Sequence, residues 1–240
     1  MDARAGGALP PESGLPAQEI LRRGLEQLGA PDPGAARALL DRYLDELQRW
    51  NERFGLVGDA DRGQLVVRHV LDSLGPWRLV SELASNGGIL DVGSGAGFPG
   101  LPLAILLPNL SITLLERSRR RSAFLKTCCV LLGLKRVTVV EAGLLDAAGG
   151  FDVLTFRAVF PLQRFVAELE RSRVRTRAVV AYKGRLTRAR EEAAAVQSVF
   201  DARGGDPGAR TRPGRVDVLP VRVPFLEEER CVVVLRTPYP

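Results

Sequence analysis

A glycine-rich segment between a strand and a helix constrains the fold of this chain most. The segment DVGSGAGFPG occupies residues 91–100, and the apolar run before it is typical of a buried strand. An apolar segment at residues 101–107 predicts the beginning of a helix directly after it. Glycines in such a turn let a ligand approach the backbone, and the helix N-terminus offers free N–H donors. The sequence therefore predicts a ligand site at a strand–helix turn.

The glycine spacing and two acids indicate which ligand this turn binds. Gly93, Gly95 and Gly97 follow the form G-x-G-x-G, whereas dinucleotide-binding turns have G-x-G-x-x-G. Asp91 lies two residues before the first glycine, where its carboxylate repels a pyrophosphate and favours a cationic ligand. Glu116 ends the next apolar run, where a carboxylate can bind ribose hydroxyls. The pattern predicts S-adenosylmethionine, a sulfonium nucleoside, with a purely structural turn as the alternative.

Apolar strands alternate with helices through the rest of the chain. Strands are predicted at residues 88–92, 111–116, 136–141, 152–156 and 177–182, and helices near 100–107, 118–132, 161–172 and 185–200. Two more strands, 216–223 and 231–235, have no helix between them and are expected to pair antiparallel. This order predicts an α/β fold of the class I methyltransferase type, Rossmann-like, with a mostly parallel seven-stranded sheet whose last strand is antiparallel.

The N-terminal third is expected to be helical. Residues 1–17 predict a disordered leader, 18–85 a helical region and 86–240 the Rossmann-like domain, the last two forming one unit. An apolar stripe with helical spacing contains Leu40, Tyr43, Leu44, Leu47, Trp50 and Phe54, and its two aromatic residues at the C-terminal end are expected in the core. A second helix is predicted at residues 64–74, with Leu65, Val67, Val70, Leu71 and Leu74 directed inward and Gly75-Pro76 at its end.

Composition excludes several classes of protein. Three cysteines form neither a disulfide framework nor a C-x-x-C motif, and the chain has one histidine, so no metal site is expected. No apolar run is long enough for a membrane helix, and no secretion signal is recognisable. These features predict a cytoplasmic protein with reduced thiols that uses neither a membrane nor a metal, and we expect a monomer.

The chain is basic, with a net charge of +6, and its cations are clustered. Arg120 and Arg121 belong to a run at residues 117–126 that contains no acid, and residues 171–190 form a second such run. Clustered arginines favour contact with nucleic acid, and a solvated face in an arginine-biased sequence is the alternative.

Motifs spread along the chain resemble those of the bacterial 16S ribosomal RNA guanine-N7 methyltransferases, once named glucose-inhibited division protein B. The matching segments are Trp50-Asn51, residues 67–74 (VRHVLDSL), residues 91–102, residues 114–116, Arg120-Arg121 before Phe124-Leu125, Phe151-Asp152, Arg157-Ala158, Lys183-Gly184 and Glu229-Arg230 before residues 232–234. The segment 67–74 and the G-F-P-G at residues 97–100 are the most specific of these.

The resemblance implies S-adenosylmethionine-dependent methylation of guanine N7 in the 530 loop of 16S rRNA. It implies cofactor contacts at Gly93, Phe98, Leu144, Leu145 and Arg157. It also implies rRNA or a small-subunit precursor as the partner. RNA contacts are then expected at Arg68, His69, Arg120, Arg121, Lys183 and Arg230.

Three segments depart from the family pattern. Gly55-Leu56-Val57 stands where the family generally has Asn-Leu-Thr, Gly143 where it has an arginine, and Phe156 where it has a serine. The missing arginine affects cofactor or substrate affinity. A methyltransferase with another substrate and a non-catalytic RNA-binding homologue therefore stay open as alternatives.

Guanine N7 carries a lone pair and no proton, so its methylation requires positioning and no general base. Arg157 and Lys183 each follow a strand, at the sheet edge where ligands bind in such folds, and are the candidates for this positioning. Lys183 could contact a phosphate or guanine O6, or be a plain surface lysine. His69 could face RNA or be a packed helix histidine.

Overall fold

Seven strands form one sheet in the order β3-β2-β1-β4-β5-β7-β6. The computed structural model describes residues 14–58, 61–84, 88–157, 161–203 and 214–236. The strands are β1 (Ile89–Val92), β2 (Ile112–Leu115), β3 (Val137–Val140), β4 (Ala148–Arg157), β5 (Arg173–Lys183), β6 (Arg215–Pro220) and β7 (Cys231–Arg236). β1 to β5 pair in parallel, and β7 lies antiparallel between β5 and β6. The predicted fold class is confirmed.

The order in which strands are added to the sheet reverses at β1. Strands β2 and β3 extend from one side of β1, whereas β4 and β5 extend from the other. The loops after β1 and β4 therefore diverge, and a crevice opens at the carboxyl ends of the strands. The parallel register pairs Asp91 with Leu114 on β2 and with Thr155 on β4, so residues from three strands meet at this point.

Helices cover both faces of the sheet. The helices are α1 (Ala17–Gln27), α2 (Pro33–Phe54), α3 (Arg62–Gln64), a π-helical segment (Leu65–Leu71), α4 (Asp72–Leu74), α5 (Trp77–Leu83), α6 (Gly100–Leu106), α7 (Arg119–Leu132), α8 (Leu162–Arg171) and α9 (Leu186–Arg203). Neighbouring strand residues point to opposite faces, so Ile89 packs with the N-terminal helices and Leu90 with α8 and α9. Each face has its own apolar core.

The N-terminal helices follow the predicted apolar stripes with two differences. Leu40 to Leu47 on the stripe are buried as predicted, but Phe54 is 40% exposed, so its assignment to the core was wrong. Phe54 lies in the last turn of α2, and the Arg120 guanidinium lies 5.2 Å from its ring centroid. The predicted helix at 64–74 is confirmed with its five inward residues buried, but its centre is π-helical, which an α-helical period cannot reveal.

Several boundaries differ from the prediction. α1 begins at Ala17, inside the range predicted as a leader, and residues 1–13 of that range lie outside the described residues, as do residues 85–87. β4 and β5 begin at Ala148 and Arg173, earlier than predicted, because their N-terminal halves pair with each other. α9 ends at Arg203, a little beyond the helix predicted near 185–200, and residues 204–213 are not described. In the described part of the chain, no helix is both long and apolar enough to cross a membrane.

Candidate active site

The glycine loop after β1 is held in a conformation that only glycine adopts easily. The φ angles of Gly93, Gly95 and Gly97 are +71°, +59° and +100°. The N–H groups of Gly93 and Ser94 donate to the Leu115 carbonyl at distances of 2.8 and 3.1 Å. These bonds fix the loop at the end of β2, where its bare backbone faces the crevice.

Glu116, the first residue after β2, holds the loop from the side. Its Oε2 accepts a hydrogen bond from the Gly95 N–H at 2.9 Å, and its Oε1 accepts one from the Ser118 N–H at 2.8 Å. Only 4% of Glu116 is exposed, yet it lines the crevice. A carboxylate has about four acceptor positions, so this one keeps capacity for two ligand hydroxyls.

Asp91 lies behind the loop and does not line the crevice. Its side chain is fully buried, where Oδ1 accepts from the Thr155 hydroxyl at 2.9 Å and Oδ2 from the Gly100 N–H at 3.2 Å. Burial raises the pKa of Asp91 to about 6, outweighing the opposing effect of its hydrogen bonds. The structure thus places Asp91 as a group that joins β1, β4 and the first turn of α6.

The raised pKa of Asp91 predicts a pH-dependent stability. Because its pKa is about 6 in the folded chain and 3.8 in the reference state, ionisation opposes folding. We expect Asp91→Asn to gain roughly 2 kcal/mol in unfolding free energy relative to the unchanged chain between pH 4 and pH 7. The carboxamide can still accept from the Gly100 N–H and can donate to the Thr155 hydroxyl.

Urea unfolding across this pH range measures the Asp91 effect. Asp45→Asn is the matched control, because it makes the same change of atoms at an exposed carboxylate paired with Arg62. A difference between Asp91→Asn and the unchanged chain that stays constant with pH would contradict the prediction.

Aromatic side chains form one wall of the crevice. The His69 ring stacks on Phe98 with centroids 5.0 Å apart, and Tyr43 contacts the same ring edge-on at 5.6 Å. The Tyr43 hydroxyl donates to the Ala96 carbonyl at 2.5 Å, which ties α2 to the loop. His69 therefore belongs to the crevice wall beside a predicted cofactor residue.

Another wall of the crevice is apolar, and charged side chains of both signs lie around it, including Asp146 and the ion pair of Arg164 with Glu168. Leu144 and Leu145 line the crevice next to Gly143, and the cavity has a volume of about 790 Å³. Four arginines also line it: Arg117, Arg121, Arg157 and Arg164. The crevice thus combines bare glycine backbone, a hydroxyl-accepting glutamate, apolar walls and positive charge. These groups fit a nucleoside with a carboxylate tail, which is the form of S-adenosylmethionine.

Arg157, the last residue of β4, is held in place by the π-helical region. Its Nη2 donates to the Arg68 carbonyl at 2.6 Å and lies 3.0 Å from Asp72 Oδ2. Asp72 Oδ1 also pairs with Arg230 at 3.1 Å. Burial raises the pKa of Asp72 although both arginines act to lower it, so the cost of desolvation offsets the gain from the ion pairs. The network therefore fixes the positions of the three side chains more than it stabilises the fold.

One nitrogen of Arg157 is left for a ligand. Its Nη1 is buried and has no hydrogen-bond partner among the described residues. Arg157 lines both the crevice and a neighbouring cavity of about 910 Å³. A buried guanidinium nitrogen without a partner is costly, and an anionic group in the crevice can satisfy it.

Lys183 lines the second cavity and not the crevice at the glycine loop. Its Nζ lies 2.6 Å from Oε2 of Glu192 on α9. The same Oε2 accepts from the Leu162 N–H at 2.9 Å, at the first turn of α8. The structure therefore separates Lys183 from Glu116 and the glycine loop, with Arg157 between the two cavities.

The remaining residues predicted to contact RNA differ in whether an acidic side chain already pairs with them and in their exposure to solvent. Arg68 pairs with Glu228 at 2.5 Å, and Arg230 pairs with Asp72, so both guanidinium groups already neutralise acids. Arg120 and Arg121 are exposed in the first turn of α7. Arg121 also lines the crevice, so this cluster reaches from the outer surface to the cofactor side.

Two residues of the site were not singled out from the sequence. Thr155 and Glu192 become visible only through strand register and helix packing. Asp72 lies within the family segment 67–74, and this was the available signal. Among the described residues, no group of three or more His, Cys, Asp or Glu side chains could hold a metal ion.

Comparison with known proteins decides the family. The family described as rRNA small subunit methyltransferase G matches residues 36–205. This chain belongs to that family. A protein named ribosomal RNA small subunit methyltransferase G from Alkalilimnicola ehrlichii is 39% identical over 177 residues, covering 72% of this chain and 78% of the relative. One of the same name from Laribacter hongkongensis is 34% identical over 223 residues, covering 91% and 97%.

Solved structures support the fold of this family member. Magnesium protoporphyrin IX methyltransferase from Synechocystis, solved with bound S-adenosylmethionine, covers 92% of the chain with a TM-score of 0.53 at 14% identity, and 98% of that structure is covered. The methyltransferase domain of METTL16 covers 84% with a TM-score of 0.54 at 16% identity, and 80% of that structure is covered. At these identities the likeness shows the class I methyltransferase fold alone.

The family's expected arginine is replaced by Gly143, and the structure shows what surrounds this position. Gly143 lines the crevice, and a Cβ added there would have, among the described residues, Asp146 Oδ2 as its one neighbour, at 3.6 Å. Another arginine could replace the missing charge, and Arg136 and Arg175 are candidates in the sequence. Arg136 does not line the crevice, and its Nη1 donates to the Ser111 hydroxyl at 3.4 Å. Positive charge in the crevice comes from the four arginines named above, rather than from Arg136 or Arg175.

Proposed function

We propose that this chain transfers a methyl group from S-adenosylmethionine to guanine N7 in the 530 loop of 16S rRNA. The observation that carries the proposal is the crevice at the reversal of strand order, where the glycine loop, Glu116 and Arg157 converge in a member of an rRNA methyltransferase family. The substrate is 16S rRNA or a precursor of the small ribosomal subunit.

Each crevice residue has a distinct role in holding the cofactor. Glu116 accepts hydrogen bonds from the ribose hydroxyls, and the loop at Gly93 and Gly95 lets the ligand approach its backbone. Gly97 does not line the crevice and instead packs closely against Leu101 and Tyr43. Phe98, Leu144 and Leu145 bound the apolar part of the ligand. Arg157 binds the carboxylate tail through its free Nη1, which is supported by the absence of a partner for this atom in the described chain.

Asp91 acts indirectly. Its carboxylate holds Gly100 and Thr155 behind the loop, so it positions the glycine turn and adds negative charge near a cationic ligand. S-adenosylmethionine, when bound, supplies an electrophilic methyl group on a cationic sulfur.

The chain's own contribution to catalysis is alignment. Guanine N7 needs no deprotonation, so the residues must hold the base in line and exclude water. Positioning of this kind can supply roughly 7–11 kcal/mol. Arg157 lies between the two cavities and is therefore placed to orient the reacting groups from both sides.

The target guanine must leave its base stack to reach a buried site. Exposed cations such as Arg120 and Arg121 then bind phosphates next to it, and affinity falls as salt releases these contacts. Three free cysteines fit a reducing compartment, which supports a cytoplasmic location, and we expect the enzyme to act as a monomer.

Methyl transfer to unmodified small-subunit RNA tests the proposal. With tritiated S-adenosylmethionine, we expect label at N7 of one guanine in the 530 loop, mapped by cleavage at 7-methylguanosine. Calorimetry with the cofactor shows in parallel that the protein is competent to bind it. Cofactor binding with label only on nucleosides or peptides indicates another substrate, and no cofactor binding indicates a non-catalytic RNA-binding protein.

A further inference from the structure

The second cavity contains a fixed donor–acceptor pair beside the cofactor crevice. Lys183 ends β5 and Glu192 lies on α9, with Nζ and Oε2 separated by 2.6 Å. Their side chains are 15% and 18% exposed, and both line the cavity of about 910 Å³ that shares Arg157 with the crevice. A ligand in this cavity therefore meets a positive donor next to a negative acceptor.

The surrounding contacts hold the pair in one arrangement. The Leu162 N–H donates to Glu192 Oε2, and Arg188 Nε lies 3.5 Å from Glu192 Oε1. The Lys183 ammonium lies 5.8 Å from the centroid of the buried Phe156 ring. Burial acts to raise the pKa of Glu192, but the hydrogen bonds from Lys183 and Leu162 hold it below its usual value.

Both groups keep hydrogen-bonding capacity for a ligand. An ammonium has three donors and a carboxylate about four acceptor positions, so the contacts within the protein do not exhaust either group. In the described part of the chain, Glu192 Oε1 pairs with the Arg188 guanidinium, with Nε 3.5 Å away. The pair can thus donate one hydrogen bond and accept at least one from an incoming base.

This pattern is complementary to guanine. The Watson–Crick edge of guanine has the O6 acceptor next to the N1–H and N2–H donors, whereas adenine has a donor at position 6 and an acceptor at N1. A lysine beside a carboxylate matches guanine and opposes adenine in both positions. N7 lies on a different edge of the purine, so contacts to the Watson–Crick edge leave it accessible.

We infer that Lys183 and Glu192 select the target base by binding the Watson–Crick edge of guanine, Lys183 at O6 and Glu192 at N1–H and N2–H. The inference rests on the proposed function and assigns the acceptor base to the second cavity. Arg157, which lines both cavities, then separates the base from the carboxylate tail of the cofactor. Glu192 is a specificity-determining residue in this arrangement.

Pairing a variant with a base analogue tests the contact directly. Inosine lacks only the N2 amino group of guanosine and keeps O6, N1–H and N7. In 16S rRNA assembled by ligation around a synthetic oligonucleotide, inosine at the target should lower kcat/KM on the order of tenfold with the unchanged enzyme. With Glu192→Ala, guanosine and inosine should react at similar rates, because the acceptor for N2–H is gone.

Two further variants keep the result interpretable. Asp201→Ala removes an exposed carboxylate on the same helix that does not line the cavity, and it should retain the full penalty for inosine. If Glu192→Ala does not fold, Glu192→Gln takes its place, because its amide oxygen can still accept from the Leu162 N–H; a reduced inosine penalty is again expected. Cofactor binding by calorimetry shows that each variant is folded.

The outcomes separate this inference from the proposed function. Failure of the unchanged enzyme to label guanine N7 while it binds the cofactor rejects the function. Normal labelling with an equal inosine penalty in the unchanged enzyme and Glu192→Ala overturns the inference alone. Equal rates on guanosine and inosine with the unchanged enzyme overturn it as well, and Lys183 and Glu192 then serve only to join β5, α8 and α9.

Discussion

Replacing Glu116 by glutamine is expected to weaken S-adenosylmethionine binding on the order of 100-fold. The carboxylate accepts from the N–H groups of Gly95 and Ser118, and we propose that it also accepts the ribose hydroxyls. A carboxamide has one oxygen, and its NH2 group opposes one of the two backbone donors. Two charge-assisted hydrogen bonds of about 1.5 kcal/mol each account for the expected loss.

Titration calorimetry with S-adenosylmethionine measures this change. Glu141→Gln is a matched control, because Glu141 directly follows β3 as Glu116 follows β2, but it is exposed and does not line the crevice. Its affinity should equal that of the unchanged chain. Equal affinities for Glu116→Gln and Glu141→Gln would show that the Glu116 carboxylate does not bind the cofactor.

Replacing Gly97 by alanine is expected to lower the unfolding free energy by about 3 kcal/mol and to abolish measurable cofactor binding. The φ angle of +100° is strained for any residue with a Cβ. The added Cβ would also lie 2.5 Å from Leu101 Cδ1 and 3.1 Å from the Tyr43 hydroxyl. Relief of these contacts must move the loop, whose neighbouring residues Ala96 and Phe98 line the crevice.

Gly133→Ala isolates the contribution of backbone strain. Gly133 ends α7 with a φ of +65°, and no atom of another described residue, apart from its chain neighbours, lies within 4 Å of its added Cβ. We expect it to cost about 1 kcal/mol in urea unfolding and to leave cofactor affinity unchanged. If the two alanine variants lose equal stability and both bind the cofactor, close packing at Gly97 does not shape the crevice.

Local sequence patterns predicted most of the fold. Alternating strands and helices predicted the parallel sheet, and the final two strands without a helix predicted the antiparallel pair β6 and β7. These features depend on side-chain periodicity and turn residues, which act over a few neighbours. The π-helical turn at Leu65–Leu71 and the exposure of Phe54 were missed, because each depends on packing between elements.

The sequence also predicted which residues would lie together at the candidate crevice. Strand ends at one edge of a parallel sheet must lie together, so the glycine loop, Glu116 and Arg157 were expected near one another. The position of Asp91 differs from the sequence-based expectation, which was an interaction of its carboxylate with the cationic ligand. The register with Thr155 and the first turn of α6 turned its carboxylate into the interior.

The sequence by itself determined the class of sheet, the position of the glycine loop and the family, because these follow from short-range spacing of residue types. Only the tertiary structure decided which charges meet. Asp72 joins Arg157 and Arg230 from distant parts of the chain, and Glu192 reaches Lys183 from a separate helix. Such pairs form where packing of the elements brings them together, and no local pattern specifies that geometry.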